Sequence, residues 1–147
     1  MREFRSRIFG EHDPYKDLNP MPADFQGWAS DRPVFREVLT ELKPKFIVEV
    51  GTWKGSSAFH MADILLEIGH RDFEIVCVDT WLGSVEHWTQ LYGPIHPILK
   101  NGRPQLYEQF LSNVMHFCSL FFHFMRQGSS TFNNYSADIL FWQYNIN

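Results

Sequence analysis

Two short apolar runs that each end in an acid constrain the fold of this 147-residue chain more than any other feature. Residues 45–50, KFIVEV, and 74–79, EIVCVD, are apolar on both faces, as central strands of a parallel sheet are. The residues between them repeat at helical spacing over 56–68, and Gly69 is placed to end that helix. The apolar stripe of this helix is Ala58, Met61, Ala62 and Leu65. A strand, a helix and a second strand of this kind predict a parallel, right-handed β-α-β unit.

Less regular segments flank this unit. Residues 1–30 contain three prolines and show little periodicity, so we expect an irregular arm. A helix is predicted within 31–44, where Asp31 can cap the first turn and Pro33 suits it. Residues 80–104 combine glycines, prolines and aromatic side chains, and a loop of this length in a compact domain is usually functional.

The C-terminal third is predicted to return to regular structure. Residues 103–117 have the pattern of an amphipathic helix. The apolar run 119–125, SLFFHFM, and the run 137–144, ADILFWQY, are predicted strands.

Composition excludes several classes of partner. The formal net charge is only −4 and no block of like charges occurs, which gives no footprint for nucleic acid or an anionic membrane. Cys77 and Cys118 lie in apolar runs and fit reduced core thiols. The longest apolar stretch near the C-terminus is too short to span a bilayer, and the N-terminus lacks the apolar core of a signal peptide. We therefore expect a cytoplasmic protein with no nucleic-acid or membrane partner.

The turn between the first predicted strand and its helix has the pattern E-x-G-x-x-x-G-x-S, from Glu49 to Ser57. Backbone N–H groups and the positive end of the helix meet at such a turn, at the sheet edge where α/β proteins bind ligands. Gly51 allows the sharp turn, and Gly55 removes a side chain where a ligand or a neighbouring strand comes close. The pattern is neither the dinucleotide fingerprint G-x-G-x-x-G nor a P-loop.

Histidines near this edge are candidate bases. His87 and His96 lie in the aromatic loop that follows the second predicted strand, so either could accept a proton from a substrate. No histidine pair or carboxylate cluster occurs at metal-ligand spacing, so we expect no metal site built from this chain.

Residues 48–58, VEVGTWKGSSA, resemble the first motif of class I S-adenosylmethionine-dependent methyltransferases, in the form of catechol O-methyltransferase-like enzymes. The most similar groups are methyltransferase 24 and the macrocin O-methyltransferase-like and cephalosporin hydroxylase-like proteins. Residues 75–88, IVCVDTWLGSVEHW, resemble the second-strand region of the same groups. The resemblance implies an α/β fold: a Rossmann-like parallel sheet with helices on both faces, occupying 31–147 after the arm 1–30.

The resemblance also implies how S-adenosylmethionine would bind. Glu49 and the Gly51–Gly55 turn would hold the methionine end, and Ser57 would hydrogen-bond its carboxylate or amino group. Asp79 would accept both ribose hydroxyls, for which its two oxygens are suited, and Trp81 would lie against the adenine. The implied cofactor site comprises Glu49, Gly51, Thr52, Trp53, Gly55, Ser56, Ser57, Asp79, Thr80 and Trp81.

Each of these residues also has an interpretation without a ligand. Gly51 and Gly55 would only permit tight packing of strand on helix. Residues 56–57 would cap the helix, and Asp79 would cap a following turn. The loop tryptophans would anchor the loop on the core, and Lys54 would be a solvated side chain.

The C-terminal end departs from the family pattern. The run 137–144 resembles the start of the family's fourth strand, but Gln143 stands where an Asp is expected, and four residues follow it. The resemblance therefore implies a truncated, frameshifted or degenerate relative with about four of the family's seven strands. An open sheet edge left by missing strands would favour homo-oligomers.

Three functions follow from these patterns. The first is an S-adenosylmethionine-dependent methyltransferase that transfers a methyl group to the oxygen of a small molecule or sugar, with no catalytic residue assigned. The second is a non-catalytic module that binds the cofactor, another nucleotide or a partner. The third is binding of a different nucleotide such as NAD, against which the absent G-x-G-x-x-G counts.

Overall fold

The structure, a computed structural model, describes residues 10–11, 13–89, 98–126 and 138–143, with the backbone path alone over 118–126 and 138–143. The helices are α1 (Pro33–Leu42), α2 (Ser56–Glu67), α3 (Val85–Thr89) and α4 (Leu106–Arg126). The strands are β1 (Phe46–Val50), β2 (Glu74–Asp79), β3 (Leu99–Lys100), β4 (Arg103–Pro104) and β5 (Asp138–Gln143). The described architecture is therefore α/β, as predicted, and is compatible with a partial Rossmann-like fold.

The predicted β-α-β unit is confirmed. Strands β1 and β2 pair in parallel, with Glu49 opposite Cys77 and Val50 opposite Val78. Helix α2 connects them, and Gly69 follows its end with a φ of +76°, a conformation that glycine adopts without a steric penalty. The predicted apolar stripe of α2 is buried in the core. Because the two strands run in parallel and in register, Glu49 and Asp79 lie at the same edge of the sheet.

The prediction that β1 is buried on both faces is wrong. Phe46, Val48 and Val50 are 47%, 54% and 78% exposed. Within the described residues β1 has one neighbour, β2, and lies at the edge of a three-stranded sheet in the order β1-β2-β5. The apolar pattern alone did not show which strand is central, since burial of a strand depends on what pairs with it. Association of copies through this edge stays a prediction.

The core lies on one face of the sheet in the part of the chain that the structure describes. The main hydrophobic cluster takes Ile75 and Cys77 from β2 and combines them with side chains of α1, α2 and α4. Val76 points to the opposite face and is not part of this cluster, although it is buried. The main described core therefore lies on one face of the sheet, and the expectation of helices on both faces stays a prediction.

The predicted strand over 119–125 is wrong, because α4 continues through it to Arg126. A short apolar run fits a buried strand and a buried helix equally well when periodicity is the only criterion. The described parallel sheet consequently has three strands rather than about four.

The predicted last strand is confirmed as β5, which pairs in parallel with β2 and places Gln143 opposite Asp79. In the doubly wound order 3-2-1-4-5-6, the strand on this side of the second strand is the third. The expected fourth strand would instead lie beside β1, so the assignment of 137–144 as that strand is wrong.

Two local features also differ from the prediction. Helix α1 begins with Arg32 as its N-cap and has no side-chain cap, so the prediction that Asp31 caps it is wrong, while Pro33 does occupy the first turn. Strands β3 and β4 form a hairpin that was not predicted. Its turn residues, Asn101 and Gly102, both have positive φ, and Asn-Gly is the sequence signal of such a turn.

The N-terminal arm is irregular over residues 13–30, as predicted, but it is tied to the helical layer. The backbone N–H of Met21 donates to the Ser112 hydroxyl at 3.0 Å, and the Gln109 side chain donates to the Pro22 carbonyl at 2.9 Å. Contacts therefore cross the predicted domain boundary at residue 30.

We predict that Gly55→Ala lowers the free energy of unfolding by about 2–4 kcal/mol, through overpacking and left-handed strain. Gly55 has a φ of +90°, and an added Cβ would lie 2.7 Å from ring carbons of both Phe59 and Phe110. The matched control is Gly102→Ala. Gly102 also has a positive φ, but a Cβ added there would have no other atom within 4 Å. Urea denaturation measures both, and equal losses in the two variants would contradict the packing role.

Candidate functional site

A cleft of about 410 Å³ opens at the carboxyl edge of β1 and β2. This volume lies within the range of ligand pockets. The lining residues come from the arm, the two strand ends and the segments that follow them: Trp28, Val50, Gly51, Trp53, Val78, Asp79, Thr80, Gly83, Ser84 and His87. Its described lining contains no lysine and no arginine.

The carboxylate of Asp79 organises the floor of this cleft. Its Oδ2 accepts the backbone N–H of Trp53 at 2.8 Å, and its Oδ1 accepts that of Trp81 at 2.8 Å. Both tryptophans have a left-handed backbone, with φ of +56° and +58°, which is unfavourable for residues with a side chain. Asp79 therefore holds the glycine turn and the loop after β2 in place, and each of its oxygens retains a further lone pair for a ligand.

Glu49 is a mostly buried acid next to the cleft. The Ser57 hydroxyl donates to its Oε1, and the Cys77 thiol lies 3.9 Å from its Oε2. Burial raises the pKa of Glu49, the hydrogen bonds from Ser57 and Cys77 oppose this rise, and the nearby Asp79 charge raises the pKa further. Among the described groups that shift this pKa none is a cation, so Glu49 has no opposite charge to compensate for its burial.

Three aromatic rings form one wall of the cleft. The rings of Trp53 and His87 stack with centroids 4.0 Å apart and an interplanar angle of 15°. Trp28, from the arm, lies 5.3 Å from the His87 ring and 5.8 Å from the Trp53 ring. The indole N–H of Trp53 donates to Gln26 at 2.8 Å, so a second arm residue helps to fix this wall.

His87 is a poor general base in this arrangement. Its Nδ1 accepts the backbone N–H of Ser84 at 2.9 Å, which places the proton of the neutral ring on Nε2. Burial lowers the pKa of His87, Lys54 lowers it further, and the charges of Glu86 and Asp79 oppose this. The neutral ring can therefore donate from Nε2 but cannot accept there without changing tautomer. The other candidate base, His96, lies outside the described residues.

The structure brings four of the predicted site residues together in the cleft: Gly51, Trp53, Asp79 and Thr80. The others lie behind it. Thr52 is buried, Ser57 contacts Glu49, and the Ser56 hydroxyl donates to the arm residue Ser30 at 2.8 Å.

Gly55 and Trp81 face the core rather than the cleft. Gly55 leaves room for the rings of Phe59 and Phe110, and the Trp81 ring stacks on Phe110 with centroids 4.8 Å apart. The expected contact of Trp81 with adenine stays a prediction, and it requires the indole to leave this position.

Several residues of the site were missed or misjudged from the sequence. Lys54, expected to be solvated, has a side chain only 13% exposed, and its ammonium lies 2.6 Å from Asp24. Trp28 and Gln26 were not predicted because the arm shows no pattern that links it to the site. Ser84 lies in a loop that was predicted to be functional, but no spacing singled it out.

No three His, Cys, Asp or Glu side chains in the described ranges are grouped so that they could hold a metal ion. None of the helices within those ranges has the length and apolar character needed to cross a membrane.

We predict that Asp79→Ala lowers the free energy of unfolding by about 2–4 kcal/mol without any ligand present, because two backbone N–H groups lose a charged acceptor. The neighbouring cleft residue Thr80 provides the control, since the contact of its hydroxyl within the described ranges is an exposed one, with the Leu82 N–H at 3.4 Å. Thr80→Ala should change stability by less than about 0.5 kcal/mol. Urea titrations measure both variants, and an unchanged Asp79→Ala midpoint would remove the proposed organising role.

We predict that Glu49→Gln gains stability relative to the wild type as the pH rises. The pKa of Glu49 is raised above its ordinary 4.5, so the folded state binds this proton more tightly than the unfolded state does. The wild type therefore loses stability as the pH rises from 4.5 through the folded pKa, and the glutamine variant does not.

Unfolding free energies measured on both sides of that range test this prediction, with Glu41→Gln, an exposed acid on α1, as the control. A difference between Glu49→Gln and wild type that is constant with pH would contradict it.

Comparison with known proteins places these features in a family. The model of the rhamnosyl O-methyltransferase/CmcI family matches residues 23–99, more than half of the 147 residues. Rhamnosyl O-methyltransferases of Mycobacterium bovis (strain BCG / Pasteur 1173P2) and Mycobacterium tuberculosis (strain ATCC 25618 / H37Rv) are 40% identical to the chain over 50 residues. The matched segment is 34% of this chain and 20% of each relative, so the match spans about a fifth of the curated relatives' length.

No solved structure matches the chain significantly. The expectation of a methyltransferase family is confirmed, whereas the narrower methyltransferase 24 and macrocin groups stay predictions. The matched range includes the arm from residue 23 onwards, both acids of the sheet edge and the glycine turn between them. The chain belongs to the rhamnosyl O-methyltransferase/CmcI family.

Proposed function

We propose that the cleft binds S-adenosylmethionine and that the chain takes part in transfer of its methyl group to an oxygen of a small molecule or sugar. One observation carries this proposal. Gly51 and Asp79 face the same cleft at the carboxyl edge of two parallel strands, and an uncompensated acid, Glu49, lies next to it. Ligands of open α/β sheets bind at this edge.

The charges of the site favour a cationic ligand. Asp79 lies close enough to Glu49 for its charge to raise the pKa of Glu49. Lys54, the lysine of the glycine turn, already forms an ion pair with Asp24. S-adenosylmethionine has an ammonium, a sulfonium and one carboxylate, so its net positive charge offsets the acids, whereas the pyrophosphate of NAD would meet acids with no lining lysine or arginine.

Hydrogen-bonding capacity also fits the cofactor. Each Asp79 oxygen accepts one backbone N–H and has a lone pair left, so the pair can accept the two hydroxyls of a ribose. The bound cofactor would supply the electrophilic methyl group. The chain's own contribution is to orient that group and to exclude water with the aromatic wall of Trp28, Trp53 and His87.

The acceptor is proposed from the family alone. The relatives are named rhamnosyl O-methyltransferases, which supports a sugar hydroxyl as the acceptor class. His87 is a poor candidate for proton removal, because its Nδ1 accepts the Ser84 N–H. The base of the reaction is left unassigned among the described residues.

The test is calorimetric titration with S-adenosylhomocysteine, using two glycine variants. Gly51 and Gly69 have φ of +81° and +76°, and neither would place a Cβ within 4 Å of another atom. Each alanine substitution should therefore lower the free energy of unfolding by a similar amount, about 1–2 kcal/mol. Of these two glycines, Gly51 lines the cleft and Gly69 does not. Gly51→Ala should therefore weaken binding at least about tenfold, while the affinity of Gly69→Ala stays within about twofold of wild type.

Absence of binding by the wild type, or equal affinity in both variants, would overturn the proposal. NAD should not displace the bound ligand. Binding should be accompanied by methyl transfer when S-adenosylmethionine is supplied with a panel of sugars and catechols. Tight binding with no turnover on any acceptor would support a cofactor-binding module instead.

A further inference from the structure

A fully buried amide on α4 connects two segments that are distant in the sequence. Asn113 is 0% exposed. Its Oδ1 accepts the backbone N–H of Asp24 at 2.9 Å, and its amide nitrogen donates to the Asp24 carbonyl at 2.7 Å and the Lys54 carbonyl at 2.8 Å. One side chain thus satisfies three backbone groups of the arm and the glycine turn.

The two connected segments each carry part of the cleft wall. Two residues beyond Asp24, the Gln26 side chain accepts the indole N–H of Trp53, and Trp28 lies against Trp53 and His87. The residue before Lys54 is Trp53 itself, whose backbone N–H binds Asp79. The relative position of arm and turn therefore decides whether Trp28 closes over the cleft.

A second contact joins the same two segments from the solvent side. The Lys54 ammonium lies 2.6 Å from the Asp24 carboxylate, and the pKa of Asp24 is lowered by hydrogen bonds from Lys54 and Gln26 and by the Lys54 charge, in spite of its burial. Asn113 therefore binds the backbone of Asp24, and Lys54 binds its side chain. The arm contacts at Met21 and Pro22 reach α4 but not the glycine turn.

We infer that Asn113 is a positioning residue of the cleft: its amide fixes the N-terminal arm against the glycine turn, so that Trp28 packs over Trp53 and His87 and completes the ligand site. The link from this position to ligand affinity rests on the proposed function. The link from Asn113 to the arm does not, and it can be measured without a ligand.

The main test compares Asn113→Leu with Ser112→Ala on the adjacent position of α4. The leucine has a similar size and removes all three hydrogen bonds to the arm and turn. Ser112→Ala removes the hydroxyl that accepts the Met21 N–H, so it also loosens the arm from the helix but leaves the glycine turn untouched. Both variants are expected to lose stability, which is followed by urea denaturation.

Amide hydrogen exchange and S-adenosylhomocysteine titration separate positioning from general stability. Exchange is measured without denaturant, where exchange in α2 should be the same in all variants. Asn113→Leu should speed exchange over residues 24–28 and 53–55 at least about tenfold. It should also weaken binding of S-adenosylhomocysteine at least about tenfold. Ser112→Ala should leave binding and exchange over 53–55 within about twofold of wild type.

A milder variant covers the outcome in which Asn113→Leu does not fold. Lys54→Met keeps an unbranched side chain beside Trp53 but removes the ion pair with Asp24. It should therefore speed amide exchange over residues 24–28 and 53–55 by about threefold or more. Unchanged exchange over 24–28 in every folded variant, or binding by Asn113→Leu within twofold of wild type, would overturn the inference. If the wild type binds no S-adenosylhomocysteine, the proposed function fails. The inference is then tested by exchange alone: faster exchange over both 24–28 and 53–55 in Asn113→Leu supports it, and unchanged exchange overturns it.

Discussion

The hydrogen bonds from two backbone N–H groups to the Asp79 carboxylate are the interaction on which the site depends. Asp79 ends β2, the strand with a neighbour on each side, and its two oxygens hold Trp53 and Trp81 in left-handed conformations. Left-handed backbone at a residue with a side chain is unfavourable unless its surroundings compensate. A charged acceptor at the strand end supplies that compensation and at the same time places a carboxylate in the cleft.

The second acid acts differently. Glu49 has a hydroxyl and a thiol as partners but no described cation, and burial raises its pKa. If Glu49 had only a structural role, a neutral side chain would serve as well, because burying an uncompensated charge is unfavourable. The arrangement is reasonable if a positively charged ligand group completes it, and this connects the electrostatics of the fold to the proposed function.

Local patterns predicted the centre of the fold and the position of the site. The two apolar strands, the helix between them and the glycine turn are encoded in contiguous residues, so periodicity and turn chemistry were sufficient. The exposure of β1 and the pairing partner of β5 depend on contacts between distant segments, which a single sequence does not show. The direction of the Trp81 ring was missed for the same reason, because Phe110 of α4 receives it.

The arm shows the same limit at the level of the site. Nothing in residues 13–30 indicates that they line a cleft, because their partners lie on α4 and in the glycine turn. The family match begins at residue 23, so it includes the part of the arm that contacts the glycine turn.

The position of Asn113 along the chain has a consequence for folding. Asp24 and Lys54 precede it by 89 and 59 residues, so closing this contact requires long loops to form first. During synthesis the arm, the glycine turn and both acids leave the ribosome well before the amide that joins them. We therefore expect the β-α-β unit to gain secondary structure early and the arm to take its place against the glycine turn after α4 docks.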